Sequence, residues 1–527
     1  MLPFAVLFAV SALVAGAIRL LLLWANNRFA FAVGADFSID IYRRTLYQPY
    51  HTHISRNSSV VISSITYKVA DAIGVLLAML TIFSSSVLIL AIILALFAID
   101  PTVAIMAAVG FCFIYGLITW LLRRRFKHNS QRIASGQDQV IKALQEGLGG
   151  IRDVLLDGAQ QVYCSVYRQA DWRLRHAQGN NRFLGQSPRY VMEALGMALI
   201  AIFAYGLSQQ PEGIGAALPL LGVLVLGAQR LLPALQQGYA ASALIAGNQI
   251  SLTDVLVLLD QPLPPEAFQP APAPLPFQDT IRFDGVWFRY GSDAPWVLKD
   301  LCLTIPRGVR VGFIGSTGSG KSTTLDLLMG LLEPTRGRIL VDGQSISGDR
   351  RRAWQQTIAH VPQSIYLADS TLAENIAFGV PRDAIDLQRV RQAARQAQIA
   401  DFIESRPEGY NALVGERGVC LSGGQRQRIG IARALYKQAS VLVLDEATNA
   451  LDGATEHSVM QAVTAFQGSK KTVLMVAHRR STMEHCDWLF RLEQGKVVEE
   501  GSSQQVLHTN RVISSPTRED AITRESK

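Results

Sequence analysis

A short run rich in glycine, serine and lysine has the composition of a loop that binds phosphate groups. It follows the β-branched stretch 309–314, which predicts a buried strand, and it leads into a predicted helix. Glycines let backbone N–H groups point at phosphate oxygens, the lysine adds a cation at the β- and γ-phosphates, and the hydroxyl after it can bind Mg²⁺. The positive end of the helix adds to this attraction. The predicted phosphate-binding residues are Gly315, Ser316, Thr317, Gly318, Ser319, Gly320, Lys321, Ser322 and Thr323, with Ser322 as a Mg²⁺ ligand.

Two adjacent carboxylates, Asp445 and Glu446, end the apolar stretch that begins at Val441. A buried strand that ends in two acids needs a positive charge for them to meet. We expect Asp445 to hold a hydrated Mg²⁺ and Glu446 to act as general base on an attacking water. The phosphate loop and this acidic pair together predict a P-loop nucleoside triphosphatase that uses Mg²⁺.

The pentapeptide Leu-Ser-Gly-Gly-Gln, which begins at Leu421, identifies the class of nucleotidase. Here the sequence resembles the ATP-binding-cassette (ABC) family, whose signature motif this is, and the resemblance covers essentially all of 280–505. The family resemblance implies that Ser422 and Gly424 face the γ-phosphate bound on another subunit. The nucleotide-binding residues that it adds are Ser422, Gly423, Gly424 and Gln425.

Three further residues match family positions. Tyr290 matches the aromatic that stacks on adenine, and Gln363 matches the glutamine that senses Mg²⁺ and the attacking water. His478 matches the histidine that contacts the γ-phosphate. Taken alone, Tyr290 reads as an ordinary strand aromatic and His478 as a core histidine, but the intact order of the motifs favours the family roles. The resemblance thus makes Lys321, Gln363, Glu446 and His478 the catalytic set.

Two loops match family segments that reach other parts of the assembly. The stretch 415–418 resembles an exporter loop that touches intracellular helices, and 449–452 resembles a loop that crosses to the partner subunit. Asn449 stands where serine is most common. Because asparagine still forms hydrogen bonds, we expect altered tuning there and no loss of the contact.

The N-terminal half has the pattern of a membrane protein. About 20 apolar residues span the hydrocarbon core as a helix, and we count five such runs, at 2–24, 73–99, 103–122, 190–207 and 214–232. The long connections between them are basic, which predicts that they face the cytosol. The net charge of +8 arises largely in these connections, where few aromatic residues accompany the basic ones, so we predict no nucleic-acid partner.

These patterns predict a membrane α-helical bundle followed by an α/β P-loop NTPase domain. The predicted boundaries are a transmembrane domain at 1–260, a proline-rich linker at 261–277, an ABC nucleotide-binding domain at 278–507 and a polar tail at 508–527. Family exporters usually have six spans, and the run at 2–24 corresponds best to the second of them. The first helix is therefore expected to be missing, through a late start assignment or a truncation. Segments near 46–54 and 151–161 occupy the positions of coupling helices.

The resemblance implies a half-transporter that acts as a dimer, in which a homodimer is the simplest assembly and a heterodimer the alternative. It further implies a bacterial-type inner membrane, with the nucleotide-binding domain in the cytoplasm. The expected function is ATP-driven export or flipping of a substrate, coupled to ATP hydrolysis. An importer and an ATP-gated channel or regulator on the same fold are the alternatives.

The substrate prediction depends on the last predicted span. Residues 229–237 resemble, less specifically, transporters that flip lipid-linked oligosaccharides or export polysaccharide precursors. An amphipathic or lipid-linked substrate is therefore expected, with a lipid-linked glycan ahead of hydrophobic drugs or peptides. Ionisable residues in spans are functional candidates, and two occur here, Glu193 and Arg230. Arg230 either faces a cavity and meets an anionic headgroup or extends to the inner membrane interface.

Overall fold

Long helices make up the N-terminal half of the chain. The computed structural model of the protein describes residues 2–99, 101–208, 213–447, 457, 460, 471–476 and 479–507. A π-helical turn at Ser64–Lys68 joins two of the helices. The helices of this half are α1 (Leu2–Leu46), α2 (Tyr50–Ser55), α3 (Ser58–Ser63), α4 (Val69–Ile99), α5 (Pro101–Gly149), α6 (Ile151–Leu156), α7 (Gln160–Ser208), α8 (Gly213–Gly247) and α9 (Gln249–Leu259).

Each of the five apolar runs lies within one long helix, namely α1, α4, α5, α7 or α8. By length and apolar composition, two helical stretches of the described residues can cross a membrane, Leu2–Leu46 and Ser58–Ala98. A third is added if Gln229–Gly247 and Gln249–Leu259, which meet at 57°, form one span. The count of five spans stays a prediction. The short helix α2 overlaps the first stretch predicted as a coupling segment, 46–54, and α6 lies within the second, 151–161.

The first helix illustrates how this unit is packed. Residues 2–25 of α1 are exposed along their whole length, as expected for a helix whose neighbour is lipid. Its second half packs against α4 and α9, where Ala30, Gly34 and Ile41 are buried. The small residues allow this close approach, because a side chain at Gly34 would collide with Ile73. The second half of α1 is thus the part of this helix that packs against its neighbours.

The C-terminal half alternates strands and helices. Its helices are α10 (Lys321–Leu328), α11 (Asp349–Thr357), α12 (Leu372–Ile376), α13 (Leu387–Gln396), α14 (Ala400–Glu404), α15 (Gly423–Lys437) and α16 (Arg480–Glu484). Its strands are β1 (Thr280–Phe288), β2 (Leu298–Pro306), β3 (Arg310–Ile314), β4 (Arg336–Val341), β5 (Gln344–Ser345), β6 (Ile358–Val361), β7 (Val441–Asp445), β8 (Thr472–Val476), β9 (Trp488–Glu493) and β10 (Lys496–Ser502).

The strands form two sheets. One is antiparallel with the order β2-β1-β4-β5, and the other has the order β10-β9-β3-β8-β7-β6. In the second sheet β9, β3, β8, β7 and β6 run parallel, and only β10 is antiparallel to its neighbour. The parallel strands are largely apolar, and in β8 every residue is buried. This burial on both faces is typical of parallel sheets covered by helices.

Large aromatic side chains fill the core beside these sheets. Phe313 of β3 stacks on Phe490 of β9 with ring centroids 5.8 Å apart, and neither is exposed. Trp354 of α11 is also fully buried and donates its ring N–H to the carbonyl of Leu328, which anchors the end of α10. The helix that follows the phosphate loop is therefore fixed at its far end by the core.

The chain divides into two compact units between Pro264 and Pro265, with the short stretch Pro49–His51 grouped with the second unit. This division lies inside the predicted linker at 261–277. The linker contains a 3₁₀-helix at Pro265–Phe268. Its end already belongs to the second unit, because the N–H of Leu275 donates to the carbonyl of Ala353 at 3.0 Å.

Candidate functional site

The candidate site forms where the parallel strands end. The phosphate loop follows β3, the acidic pair ends β7, and Gln363 lies two residues beyond β6. Strands β3, β8, β7 and β6 are consecutive neighbours in the sheet. Parallel neighbours end at the same edge, and the carboxyl edge is where sheets of this type bind ligands. Segments that are distant in sequence therefore meet at one edge of the sheet.

The phosphate loop has a backbone that few residues other than glycine adopt. Gly318 and Gly320 have φ of +82° and +102°, in the left-handed region. Gly320 directly precedes α10 and is its N-cap, so the loop ends where the helix begins. The ammonium of Lys321 folds back over the loop and donates to the carbonyls of Gly315 and Ser316, each at 2.9 Å. The lysine cation is thereby held inside the loop that the sequence predicts to surround phosphates.

An unsatisfied hydroxyl in the loop fits a phosphate ligand. Ser319 is only 2% exposed, and among the described residues its Oγ has no hydrogen-bond partner. Buried polar atoms are normally paired, so an orphan of this kind points to a bound ligand or water. A phosphate oxygen could accept this hydrogen bond. The loop glycines, the lysine and the orphaned hydroxyl together fit a nucleotide.

The acidic pair has unusual geometry at its second member. Glu446 has a φ of +51°, a conformation that costs a non-glycine residue about 1 kcal/mol. Its backbone N–H donates to the carbonyl of Val476 at 2.8 Å, which holds the turn against β8. The side-chain amide of Gln363 donates to the Glu446 carboxylate at 2.9 Å. The structure thus brings together the predicted base and the predicted sensor glutamine.

Burial and mutual attraction set the charges of this edge. Desolvation lowers the pKa of Lys321, while the nearby carboxylates of Glu446 and Asp445 oppose this shift. Desolvation raises the pKa of Asp445, the charge of Glu446 adds to the shift, and Lys321 opposes it. Perturbed pKa values with charged partners are typical of functional sites. The opposite signs of these groups suit a ligand that combines an anion with a divalent cation.

Asp326 belongs to the same edge, although sequence reasoning did not single it out. Burial and the charge of Asp445 raise the pKa of Asp326 to about 6. The signal was present in the helical spacing, because residue 326 lies four positions after Ser322 and therefore on the same face of α10. Ser322, Asp326 and Asp445 thus supply a hydroxyl and two carboxylates, which are oxygen ligands of the kind that Mg²⁺ prefers.

The predicted adenine-stacking residue lies beside the phosphate loop. Tyr290 follows β1, is 48% exposed, and its hydroxyl lies 3.2 Å from the hydroxyl of Thr323. Its ring packs edge-on against Phe288 at 5.0 Å between centroids. The exposed ring face is therefore positioned next to α10 while its other contacts hold it in place.

The signature residues begin α15. Ser422 is the N-cap of this helix, and its Oγ accepts from the N–H of Gln425 while the Gln425 side chain accepts from the N–H of Ser422. Among the described residues Ser422 forms no hydrogen bond with the phosphate loop. Its helix connects to the acidic pair through buried Gln427, which donates to the backbone carbonyl of Glu446 at 3.4 Å. The structure thus places Ser422, Gly423, Gly424 and Gln425 at a helix N-terminus, where the Ser422 and Gln425 side chains are engaged in the cap.

Two parts of the predicted site fall outside the residues that the structure describes. His478 and the stretch 449–452 lie outside the described residues, so their roles stay predictions. The stretch 415–418 forms a tight 3₁₀ turn in which Gly415, Arg417 and Gly418 all have φ between +50° and +75°. It leads directly to the signature helix.

Comparisons with known proteins show to which family the chain is similar. Residues 3–209 match the family described as ABC transporter transmembrane region, and residues 298–449 match the family described as ABC transporter. An ATP-dependent lipid A-core flippase of Chromohalobacter salexigens is 36% identical over 400 residues, covering 74% of this chain and 67% of the relative. One from Cupriavidus metallidurans is 31% identical over 487 residues, covering 90% and 79%.

A solved structure described as a bacterial Atm1-family ABC exporter with ATP bound superimposes with a TM-score of 0.79 at 27% identity. The match covers 93% of this chain and 87% of that one. The predicted fold class, a helical membrane region followed by an α/β ATPase domain, is confirmed. The chain therefore belongs to the ATP-binding-cassette transporter family, and it joins the membrane region and the ATPase of an exporter-type half-transporter in one polypeptide.

Proposed function

We propose that this protein is an ATP-driven flippase for a lipid-linked or other amphipathic substrate and that it works as a homodimer in a bacterial inner membrane, with its ATPase domain in the cytoplasm. The observation that carries the proposal is the carboxyl edge of the parallel sheet. There the loop that holds Lys321 follows β3, and the Gln363–Glu446 pair, 2.9 Å apart, follows the neighbouring strands. A base, a cation and a phosphate-binding loop are the parts that ATP hydrolysis needs.

The residues have distinct roles in the proposed hydrolysis. The loop amides and Lys321 bind the phosphates, Ser319 donates its unpaired hydroxyl, and Tyr290 stacks on adenine. Glu446 accepts a proton from the attacking water as the water oxygen bonds to the γ-phosphorus and the bond from phosphorus to the bridging oxygen breaks, so that ADP and phosphate leave. Gln363 orients the Glu446 carboxylate, and His478 contacts the γ-phosphate. Positioning and charge stabilisation supply most of the rate enhancement in such reactions.

Mg²⁺ would be held by the Ser322 hydroxyl and the Asp445 carboxylate, with Gln363 near it. When bound, the ion neutralises negative charge on the phosphates. The raised pKa of Asp445, caused by burial and by Glu446, is consistent with a carboxylate that needs a positive partner. Asp326, on the next turn of α10, would add a carboxylate beside these two ligands.

The dimer is proposed because one chain presents only part of a site. Ser422 caps α15 and forms no described contact with the phosphate loop of its own chain. By the family resemblance, Ser422 and Gly424 complete the site of a second subunit, together with the stretch 449–452. Since one chain carries both the base Glu446 and the signature residues, two copies suffice for two sites.

Support for a lipid substrate comes from the relatives and from the membrane unit. The relatives are lipid A-core flippases. Arg230 on α8 is exposed, and an exposed cation in a predicted span can meet an anionic headgroup. Glu193 is already engaged, since it accepts from Arg189 at 3.0 Å and from Gln236 at 3.3 Å. Arg230 is therefore the better candidate for a contact with the lipid.

The test measures ATP hydrolysis by the full chain in proteoliposomes while a lipid-linked oligosaccharide, or lipid A, is titrated. We expect stimulation by the lipid, and a loss of hydrolysis of at least about 100-fold in Glu446→Gln because the general base is gone. Arg230→Ala should retain basal hydrolysis and lose the stimulation. Hydrolysis that depends on Glu446 but is not stimulated by any of the lipids would contradict the proposed lipid substrate. It would favour an importer or a gated channel on the same fold.

A further inference from the structure

A lysine buried between three helices joins the cytoplasmic extensions of the membrane unit. Lys68 is 1% exposed, and its ammonium pairs with Asp138 at 2.9 Å and with Asp254 at 2.8 Å. Lys68 ends the π-helical turn before α4, Asp138 lies on α5, and Asp254 lies on α9. A buried cation must be paired to be tolerated, and here its two partners come from two other helices.

The location of this cluster, hereafter the Lys68 junction, is outside the apolar runs. Lys68 precedes the run at 73–99, and Asp138 lies eleven residues after Lys127, about 16 Å along the helix. The basic stretch 123–127 lies between the apolar run at 103–122 and Asp138, and its composition is typical of the cytoplasmic end of a membrane helix. The Lys68 junction therefore lies on the cytoplasmic side of that interface.

The local structure of the turn supports a specific role for this lysine. Residues 64–68 form a π-helix, which carries one extra residue per turn and is often found at functional sites. Ser63, at the start of this turn, also donates to Asp138. Next to the junction, buried Gln137 donates to Asp71 at 2.9 Å. Ser63, Lys68 and Asp71 thus all form polar contacts with the adjacent residues Gln137 and Asp138 of α5.

Helix α9 connects the Lys68 junction, along the chain, to the ATPase domain. It is bent by 57° from α8, and the chain continues from it through the linker into the ATPase domain. Besides the bond to Lys68, the N–H of Ile250 donates to Ser130 of α5 at 3.1 Å. Val255 and Leu258 of α9 pack with Ile41 in a buried apolar cluster. The helix nearest the ATPase domain in sequence is thus embedded among α1, α4 and α5.

We propose that Lys68 is a positioning residue that couples α9 to α4 and α5, so that movement of the segment entering the ATPase domain is passed to both long helices. Two ion pairs on one ammonium favour movement of the three helices as a unit, since separating either carboxylate leaves the buried ammonium of Lys68 with a single partner. The proposal concerns the transport cycle itself and does not depend on which lipid is moved.

The experiment follows amide hydrogen exchange of the full chain in lipid nanodiscs, with and without Mg²⁺ and the non-hydrolysable analogue AMP-PNP. Exchange in the phosphate loop reports nucleotide binding in every variant. In the wild type we expect nucleotide to change exchange in α9 and in the segments 58–72 and 134–149, the second of which begins beyond Ser130 and its direct bond to α9. In Lys68→Met the change in α9 should persist, while the changes in both other segments fall about fivefold or more. Lys68→Arg should restore part of them.

Single carboxylate variants separate transmission from general stability and carry the test if Lys68→Met does not fold. Asp254→Asn releases α9 from Lys68, so both segments should lose their response. Asp138→Asn keeps the link from α9 to α4, so only segment 134–149 should lose its response. Lys142→Met removes an exposed pair with Glu146 on α5 and serves as matched control with an unchanged response. Wild-type responses in Lys68→Met or Asp254→Asn, or one identical pattern in the two aspartate variants, would overturn the proposal.

Discussion

At the scale of single residues, the site combines strained and desolvated groups. Glu446 is held at φ +51° by its bond to Val476 and by the amide of Gln363. Such outliers persist only where the surroundings hold them, and they concentrate at functional sites. The strain points the carboxylate of Glu446 toward Gln363, while the preceding residue, Asp445, ends the strand with its own carboxylate.

The raised pKa of Asp326 predicts that the stability of the ATPase domain depends on pH, and this dependence can be measured without nucleotide. Its pKa is raised from 3.8 to about 6 by burial and by Asp445. Between these two values the folded protein binds more protons than the unfolded chain, so stability falls as the pH rises from about 4 to about 6. Asp326→Asn removes this penalty. At pH 7 it should increase the free energy of unfolding of the ATPase domain by about 1 kcal/mol, because solvent screens part of the full effect.

The measurement is the Tm of the ATPase domain from pH 5 to 8, in which Asp326→Asn should gain about 2–4 °C over the wild type at pH 7. The gain should shrink as the pH falls toward 4. Asp383→Asn, at an exposed carboxylate of the same domain, is the control and should leave the curve unchanged. An Asp326→Asn curve that coincides with the wild type would show that this carboxylate is not destabilised by burial.

At the scale of elements, two helices of the ATPase domain begin in the same way. Ser422 with Gln425 caps α15, and Thr371 with Glu374 caps α12. In each case the side chains of the N-cap and the third helical residue satisfy each other's backbone N–H groups. The two caps have the same local chemistry, but only one lies in the signature motif. They therefore allow the capping role of Ser422 to be separated from its proposed contact with nucleotide.

Ser422→Ala and Thr371→Ala should each lower the free energy of unfolding of the ATPase domain by about 1 kcal/mol, because each loses a helix cap. Only Ser422→Ala should also lower the rate of ATP hydrolysis, since the family resemblance places this hydroxyl at the γ-phosphate of the partner. Denaturant unfolding and steady-state hydrolysis below the Tm of both variants check the two effects. Equal hydrolysis by both variants would reduce Ser422 to a cap.

At the scale of the whole molecule, the chain has one ATPase domain and one membrane unit, divided at Pro264 and Pro265. The family to which it belongs contains exporters, and the solved exporter matches 93% of its length. The signature residues sit at the start of α15 and the phosphate loop at the end of β3. In a homodimer, the signature residues of each copy would face the phosphate loop of the other copy.

Mixing experiments test this assembly. If wild-type and Glu446→Gln chains are denatured together, refolded in equal amounts and reconstituted, random pairing gives about a quarter wild-type dimers and half mixed dimers. Should hydrolysis require two intact sites that alternate, activity should fall to about a quarter of the wild-type value. Chains that act singly would retain half. Differently tagged copies that do not co-purify would exclude the homodimer.

Local sequence was sufficient to predict much of this molecule. The β-branched and apolar stretches at 309–314 and 441–444 became strands β3 and β7, and the glycines of the phosphate loop took the positive φ values that only they adopt easily. The five apolar runs each lie in one helix, because hydrophobic periodicity and length are properties of the chain itself. The signature motif and its order among the others were enough to identify the family.

Other features were decided only by the tertiary structure. The bond between Gln363 and Glu446 depends on the order β8-β7-β6, which no local pattern specifies. Asp326 becomes part of the site through burial beside Asp445, and Lys68 meets Asp138 and Asp254 across 70 and 186 positions of sequence. Sequence periodicity determines which face of an element is buried, whereas charge pairing and pKa shifts depend on which elements become neighbours when the chain packs.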